Sequence, residues 1–224
     1  MDHFARAAEL DPNYVHAHAW LAIELCIRYM LDEQEQTVDE AAVHARKALA
    51  LDENDAYAHD AMGWVALRRR QFDLAGEHYQ RACRLNPNDI NIAGDTANWL
   101  LHIGRLHEAL RVLDLAVQRD PYPPTWIWEV RGVTLYHLKR YDGAITALRS
   151  VQTRHFLVSM HLAAAYAQAG EVDDARRELA NYLLLKPNNS LANIAPKIEQ
   201  VLRDHLLDGL RKAGLPESVA DFGA

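Results

Sequence analysis

Small residues recur along this chain at an almost constant spacing. Ala41, Ala75 and Ala109 are 34 residues apart, and Ala144 follows after 35 residues. A period of this length is typical of a solenoid, in which stacked supersecondary units bury their apolar faces against one another. The most regular unit, residues 56–89, reads as two helices joined by a turn. The period therefore predicts an all-α chain built from repeated helix pairs.

A second column of small residues accompanies the first. If Ala56 is repeat position 1, positions 8 and 20 are glycine or alanine in all five full repeats. Small side chains at these points let two antiparallel helix axes approach to about 8 Å. A bulky residue there should destabilise the chain by roughly 1–3 kcal/mol through overpacking. The residues are Ala22, Gly63, Ala97, Gly132 and Ala163 at position 8, and Ala41, Ala75, Ala109, Ala144 and Ala175 at position 20.

Prolines complete the pattern at position 32, where they end the second helix. They are Pro12, Pro87, Pro121 and Pro187. The period, the small positions and the late prolines together resemble the tetratricopeptide repeat (TPR) family. The resemblance implies an all-α, right-handed α-solenoid of helix-turn-helix repeats with a C-terminal capping helix. It divides the chain into a partial repeat at 2–14, repeats at 15–55, 56–89, 90–124, 125–155 and 156–189, and a capping helix and tail at 190–224.

Two segments depart from the regular repeat. The first repeat is seven residues too long between its helices, and Thr37 to Glu40 resembles a capping box that restarts the helix. Beyond the last repeat, apolar residues at helical spacing predict an amphipathic capping helix that ends at Gly214. Its apolar stripe comprises Ile198, Val201, Leu202, Leu206 and Leu210.

Composition narrows the classes of function. The chain has 24 Lys and Arg against 31 Asp and Glu, a net charge of −7, which argues against a nucleic acid partner. It has no apolar run long enough to span a membrane, and its two cysteines fit a reducing, cytoplasmic setting. No nucleophile, phosphate-loop, nucleotide or metal-ligand motif occurs. We therefore expect a protein that is not an enzyme, with no catalytic residues, cofactor or metal.

In TPR proteins the first helix of each repeat lines a concave groove, mainly through positions 2, 5, 9, 12 and 13. The resemblance places the candidate partner-binding residues at these positions. They are Tyr57, Asp60, Trp64, Arg68, Asn91, Asn98, His102, Trp126, Glu129, Tyr136, His137 and Met160. Aromatic rings such as Trp64 and Trp126 either anchor a partner or pack the interior. His102 and His137 fit solvated groove residues better than metal ligands.

The same positions indicate the charge of the partner. TPR domains that clamp a C-terminal carboxylate carry Lys and Asn at positions 5 and 9. This chain has Asp60 and Trp64 in one repeat and Glu129 and Val133 in another. We therefore expect a neutral or basic peptide or protein segment rather than a carboxylate.

Two functions follow from these observations. We expect a protein–protein interaction scaffold that uses the groove. The alternative is a C-terminal regulatory or oligomerisation domain of a larger bacterial signalling protein. Residues 204–217 resemble tails of TPR regions in bacterial class III cyclases and winged-helix regulators, and the chain begins in mid-repeat, as a fragment would. An N-terminal end bearing Phe4 could then form a homodimer.

Overall fold

The computed structural model describes residues 2–32, 34–120 and 122–221, which fold into helices joined by short turns. Within these ranges there are thirteen α-helices, two short 3₁₀ helices and no strand. The α-helices are α1 (Asp2–Leu10), α2 (Val15–Asp32), α3 (Glu35–Leu51), α4 (Ala56–Arg68), α5 (Phe72–Leu85), α6 (Ile90–His102), α7 (Leu106–Arg119), α8 (Thr125–His137), α9 (Tyr141–Arg149), α10 (Phe156–Ala169), α11 (Val172–Leu185), α12 (Leu191–Ile194) and α13 (Gln200–Ala213). Pro121, assigned above to position 32, lies outside the described residues. Across the described part of the chain, no helix is both long and apolar enough to cross a membrane.

The chain divides into two compact units, residues 1–99 and 100–224. In the first unit, α2 packs against α3 and α4, and α4 packs against α5. In the second unit, α8 packs against α9, α10 packs against α11, and α13 lies mainly on α10. Pairs of neighbouring helices are therefore the building blocks of both units, as the sequence period predicts.

Both columns of small residues are buried. The eight alanines at positions 8 and 20 have no exposed surface. A Cβ atom added at Gly63 would stand 2.7 Å from Cε1 of Tyr79, and one at Gly132 would stand 2.5 Å from Cγ of Leu148. Tyr79 and Leu148 both occupy position 24, on the second helix of their pairs. The predicted close approach is confirmed at these glycines, and the group that fills the space is the side chain at position 24.

Four helix pairs place a left-handed residue at position 15, in the turn between their helices. Its φ angle is 55° at Arg70, 77° at Gly104, 60° at Lys139 and 85° at Gly170. The next amide in each turn donates a 2.9 Å hydrogen bond to the carbonyl five residues earlier. This is the Schellman pattern of a helix C-terminus. The shared turn therefore imposes the left-handed conformation, even on arginine and lysine.

The C-terminal helix α13 buries Leu202, Leu206 and Leu210. It ends at Gly214, whose φ of 103° fits the predicted glycine stop. Val201 is 60% exposed, so its predicted place in the buried stripe is wrong. Because α13 begins only at Gln200, Ile198 lies outside the helix, and within its first turn Leu202 is buried while Val201 is not.

After α13 the chain returns to the short helix α12. The amides of Leu191 and Ala192 donate to the carbonyls of Pro216 and Glu217, each at 2.9 Å. The residues on both sides of α13 are therefore joined by backbone hydrogen bonds, which fixes the helix at its two ends.

Candidate functional site: the first-helix face

Positions 2, 5, 9, 12 and 13 lie on one side of the first helix of each pair, and we call this surface the first-helix face. In the first unit it contains six of the predicted site residues. Asp60 and Trp64 are buried, with 0% and 7% of their surface exposed. The accessible, half-buried members are Tyr57, Arg68, Asn91 and Asn98.

Tyr57 is held by a polar chain that runs between successive repeats. Its hydroxyl donates to Asp89 at 2.8 Å and accepts from the Asn91 amide at 3.4 Å. Its ring also lies 4.9 Å from the ring of Trp20, between centroids. Burial raises the pKa of Tyr57, and the Asp89 carboxylate adds to the shift. Tyr57 is therefore a neutral phenol with a fixed orientation.

Asp60 and Asp95 form a buried carboxyl pair. Burial raises the pKa of Asp60 well above its usual value, and the charge of Asp95 adds to this shift. Burial also raises the pKa of Asp95 to about 7, although the Trp64 indole and the Arg68 charge oppose that shift. At neutral pH the pair therefore holds at least one proton, mainly on Asp60. Sequence reasoning missed Asp95, although a carboxylate within the apolar run of α6 was a usable signal.

Arg68 stacks on the ring of Trp64. Its guanidinium carbon lies 5.0 Å from the ring centroid, within the range of a cation–π contact. Its Nε and Nη2 atoms are buried and have no hydrogen-bond acceptor among the residues that the structure describes. The buried indole therefore holds a guanidinium group whose hydrogen-bonding capacity is only partly used.

In the second unit, α13 covers the first-helix face. The Tyr136 hydroxyl donates to the His205 carbonyl at 2.8 Å, and the two rings stack with centroids 4.5 Å apart. Gln168, at position 13, donates to Asp208 at 2.8 Å and accepts from Lys212 at 3.0 Å. The surface assigned from the sequence to a partner is here occupied by a helix of the same chain. The amphipathic pattern of α13 fits any apolar surface, so the sequence did not reveal this location.

Histidines line the contact between α8 and α13, and the expectation that His137 is a solvated groove residue is wrong because it is buried. The ring centroid of His137 lies 6.3 Å from that of His161 and 5.6 Å from that of His205. Burial lowers the pKa of His137 to about 2, and the charges of His161, His205 and His102 add to this shift. His102 itself lies 3.1 Å from Glu199, just before α13. No three His, Cys, Asp or Glu side chains within the described ranges are arranged to hold a metal.

The remaining predicted residues of the second unit differ in their surroundings. The Glu129 carboxylate lies 2.9 Å from Nε2 of His155, and this hydrogen bond raises the pKa of His155. Met160 is buried, whereas Trp126 is half-buried. Glu129 is therefore engaged in an internal ion pair.

Away from the first-helix face, each of the first two full repeats has a histidine pair that joins its two helices. The Nδ1 atoms are 3.0 Å apart in His59–His78 and again in His18–His44. In each pair the first-helix histidine bonds a backbone carbonyl through Nε2, so its Nδ1 accepts from the second-helix histidine. The His59–His78 pair lines a cleft of about 800 Å³ between α3 and α5.

Comparison with known proteins identifies the repeat unit. Residues 56–89 match the family model described as tetratricopeptide repeat. The chain is also 27% identical, over 184 residues, to Superkiller protein 3 of Schizosaccharomyces pombe. That match covers 77% of this chain, but the chain spans only 13% of the length of that relative.

Solved structures extend the likeness to most of the chain. The Cut9–Hcn1 hetero-tetramer of the APC/C matches with a TM-score of 0.69 and 19% identity, covering 91% of this chain and 38% of that one. YrrB, described as a TPR protein with an unusual peptide-binding site, matches with a TM-score of 0.51 and 21% identity, covering 87% and 98%. Residues 56–89 thus match the tetratricopeptide repeat, and the helix pairs have the α-solenoid fold seen in tetratricopeptide-repeat proteins.

Proposed function

We propose that this chain is a non-enzymatic protein–protein interaction scaffold. We further propose that it binds a peptide or protein segment on the first-helix face of its first unit. The location is supported by the packing of α13, which lies on the corresponding face of the second unit and contacts Tyr136 and Gln168 there. A helix lying in a groove of other helices is a recurring mode of peptide recognition. The peptide-binding site named for YrrB is in keeping with this use of the fold.

The accessible residues of that face suit recognition of a polypeptide. The side-chain amides of Asn91 and Asn98 can each donate and accept hydrogen bonds. Tyr57 adds a large aromatic surface in a fixed orientation, which is typical of binding anchors. Buried Trp64 supports the surface from below rather than contacting a partner directly.

The two acidic residues of the predicted groove no longer indicate the charge of the partner. The expectation of a neutral or basic segment depended on Asp60 and Glu129. Asp60 is fully buried with a raised pKa, and Glu129 is paired with His155. Because neither presents a free negative charge, a basic partner gains no support from them, and a neutral segment fits Asn91 and Asn98 equally well.

The second function inferred from the sequence was a C-terminal regulatory domain of a cyclase or transcriptional regulator. The matches reported above include neither class of protein, and this alternative is not favoured. The Phe4 ring already stacks on the Trp20 ring, with 5.9 Å between the ring centroids. A homodimer through the N-terminal end would therefore depend on Leu10, which is 71% exposed. A strict monomer in light scattering at high concentration would exclude that dimer.

The proposed surface can be tested by selecting binders from a random peptide library on the immobilised protein. We expect the recovered peptides to bind the Asn91→Ala/Asn98→Ala variant at least about tenfold more weakly, which corresponds to about 1.4 kcal/mol. The matched control is Gln36→Ala/Gln80→Ala, which removes two exposed amides from second helices of the same unit. Equal losses in both variants, or no recovered peptide, would contradict the proposal.

A further inference from the structure

The cleft of about 800 Å³ between α3 and α5 is positively charged, although the chain as a whole is acidic. Arginines lie on both of its walls, with Arg46 on α3 and with Arg81 and Arg84 on α5. Glu53 and Glu77 also line it, so three arginines against two glutamates give a net charge of +1 when its histidines are neutral. The walls belong to second helices, and the cleft shares no residue with the first-helix face.

The arginines of this cleft are not paired with its glutamates. Glu77 lies four residues before Arg81 on α5, a spacing that favours an ion pair. Arg81 instead donates to the side-chain oxygen of Asn54, a neutral acceptor, at 2.6 Å. Arg46 and Arg84 are exposed, and neither forms a hydrogen bond or ion pair with another described residue. Both guanidinium groups are therefore within reach of a partner.

The cleft between α9 and α11 in the second unit contains its own counter-charges. Three arginines and three acidic residues line it, so its net charge is zero. Buried Glu178 accepts from Arg154 at 2.6 Å, and Asp174 pairs with Arg177. Glu178 occupies repeat position 23, which is His78 in the cleft of the first unit. The first cleft therefore has an imidazole ring where the second has a carboxylate that neutralises an arginine.

The contact with His59 determines which nitrogen of His78 is free. His59 donates through Nε2 to the carbonyl of Glu53, and its Nδ1 accepts from Nδ1 of His78. Nε2 of His78 has no partner among the residues that the structure describes, and in the neutral ring it is an acceptor. Protonation of this atom makes it a donor and raises the net charge of the lining to +2.

We propose that the cleft between α3 and α5 binds an acidic segment of a partner protein, whose Asp or Glu side chains meet the arginines and His78. The positive lining is complementary to such a segment. Arginines on both walls fit several carboxylates along a chain better than they fit one small anion. A carboxylate at Nε2 of His78 also favours the protonated ring, so binding takes up a proton. This second surface goes beyond the proposed function, because it is separate from the first-helix face.

The test uses a peptide library rich in Asp and Glu, selected on the whole protein. The recovered peptides are synthesised acetylated and amidated, so that their only carboxylates are side chains. Replacing these by Asn and Gln should weaken binding at least about tenfold. Arg46→Gln/Arg84→Gln, which alters two exposed side chains, should weaken binding at least about fivefold. The control Arg149→Gln/Arg176→Gln removes the same charge from the second unit and should bind like the wild type.

The coupled proton gives a second readout. Burial and the charge of His59 lower the pKa of His78 in the free protein, and Glu77 opposes this shift. We expect the affinity for an acidic peptide to rise at least about threefold between about pH 7.5 and 5.5, and His78→Gln should abolish the rise. The control is His44→Gln, because His44 has the same repeat position and histidine contact but does not line the cleft. The other charged groups around His78 are Arg46, Glu53, Arg81 and Arg84.

The outcomes separate this inference from the proposed function. Peptides of the cleft should bind the Asn91→Ala/Asn98→Ala variant like the wild type, because those residues lie on the first-helix face. Acidic peptides that lose affinity only in that variant, or that bind Arg46→Gln/Arg84→Gln as tightly as the wild type, would overturn the cleft assignment and leave the proposed function standing. Recovery of no acidic peptide would also overturn it, and an affinity independent of pH would exclude the contact with His78.

Discussion

The hydroxyl of Tyr136 donates a 2.8 Å hydrogen bond to the backbone carbonyl of His205, and this contact joins α8 to the C-terminal helix. Gly209, one turn further along α13, meets the same hydroxyl and the Ala164 side chain. The absence of a side chain at Gly209 is what lets α13 lie this close. The second unit therefore holds its own C-terminal helix against its first-helix face.

Replacing Gly209 by alanine should loosen this helix. The added Cβ atom would stand 2.9 Å from the Ala164 Cβ atom and would overlap the Tyr136 hydroxyl. Overpacking of this kind typically lowers the free energy of unfolding by about 1–3 kcal/mol, and denaturant unfolding measures the change. The control is Gly143→Ala, whose Cβ atom would meet only Leu135 at 3.5 Å, an ordinary contact. That variant should be neutral or slightly more stable, and equal stability of both variants would contradict the packing described for α13.

The turn between α8 and α9 should become more stable when Lys139 is replaced by glycine. Lys139 has a φ of 60°, a conformation that costs a side-chain-bearing residue roughly 1–2 kcal/mol. Part of the gain is offset because glycine also increases the entropy of the unfolded chain, leaving about 0.5–1 kcal/mol.

Gly170→Ala tests the same repeat position in the opposite direction. Its φ is 85°, and nothing lies within 4 Å of the added Cβ atom, so only backbone strain acts. A loss of about 0.5–1 kcal/mol is expected in thermal or denaturant unfolding. A gain at Gly170, or a loss at Lys139, would show that position 15 is not under the strain described.

Asp95→Asn should stabilise the protein above neutral pH. Because burial raises the pKa of Asp95 to about 7 in the folded state, the folded state binds more protons than the unfolded state between about pH 4 and 7. Stability contributed by the protonated carboxyl is therefore lost as the pH rises through 7. We expect a gain of about 1–3 kcal/mol at pH 8 that shrinks towards pH 4. The exposed Asp204→Asn change serves as the control, and a pH-independent effect at Asp95 would count against the buried pair.

His137 should remain neutral in the folded protein at mildly acidic pH. Burial lowers its pKa to about 2, whereas an unperturbed histidine titrates at about 6.5. A depressed histidine pKa means that its contribution to stability is present above about pH 6.5 and is lost as the pH falls below it. NMR of the His137 ring should show no protonation between pH 7 and 5. A midpoint near 6.5 would mean that α13 does not cover this residue in solution.

The repeated helix pairs were predictable because their determinants are local. Small residues at positions 8 and 20 mark where the helices cross, and glycine at 214 marks where α13 ends. The proposed capping box at Thr37 was wrong, because α3 begins at Glu35 and Thr37 lies inside its first turn. A capping motif is short and occurs by chance, whereas the small residues at positions 8 and 20 are buried in every copy.

The candidate site was harder to predict because it depends on contacts between distant residues. Position within the repeat assigned Asp60 and Trp64 to the first-helix face, but burial of Asp60 beside Asp95 depends on how α4 meets α6. Similarly, the contact between Tyr136 and His205 spans 69 residues, and no local pattern indicates it. Side chains selected by spacing alone therefore include both accessible residues and residues covered by the chain itself.

Hydrogen–deuterium exchange with a selected peptide bound shows which helices the peptide covers. We expect slower exchange at residues 57–68 and 91–98, with α13 unchanged. Protection confined to the second helices of the pairs, or faster exchange of α13 as a peptide displaces it, would contradict the assignment of binding to the first-helix face of the first unit.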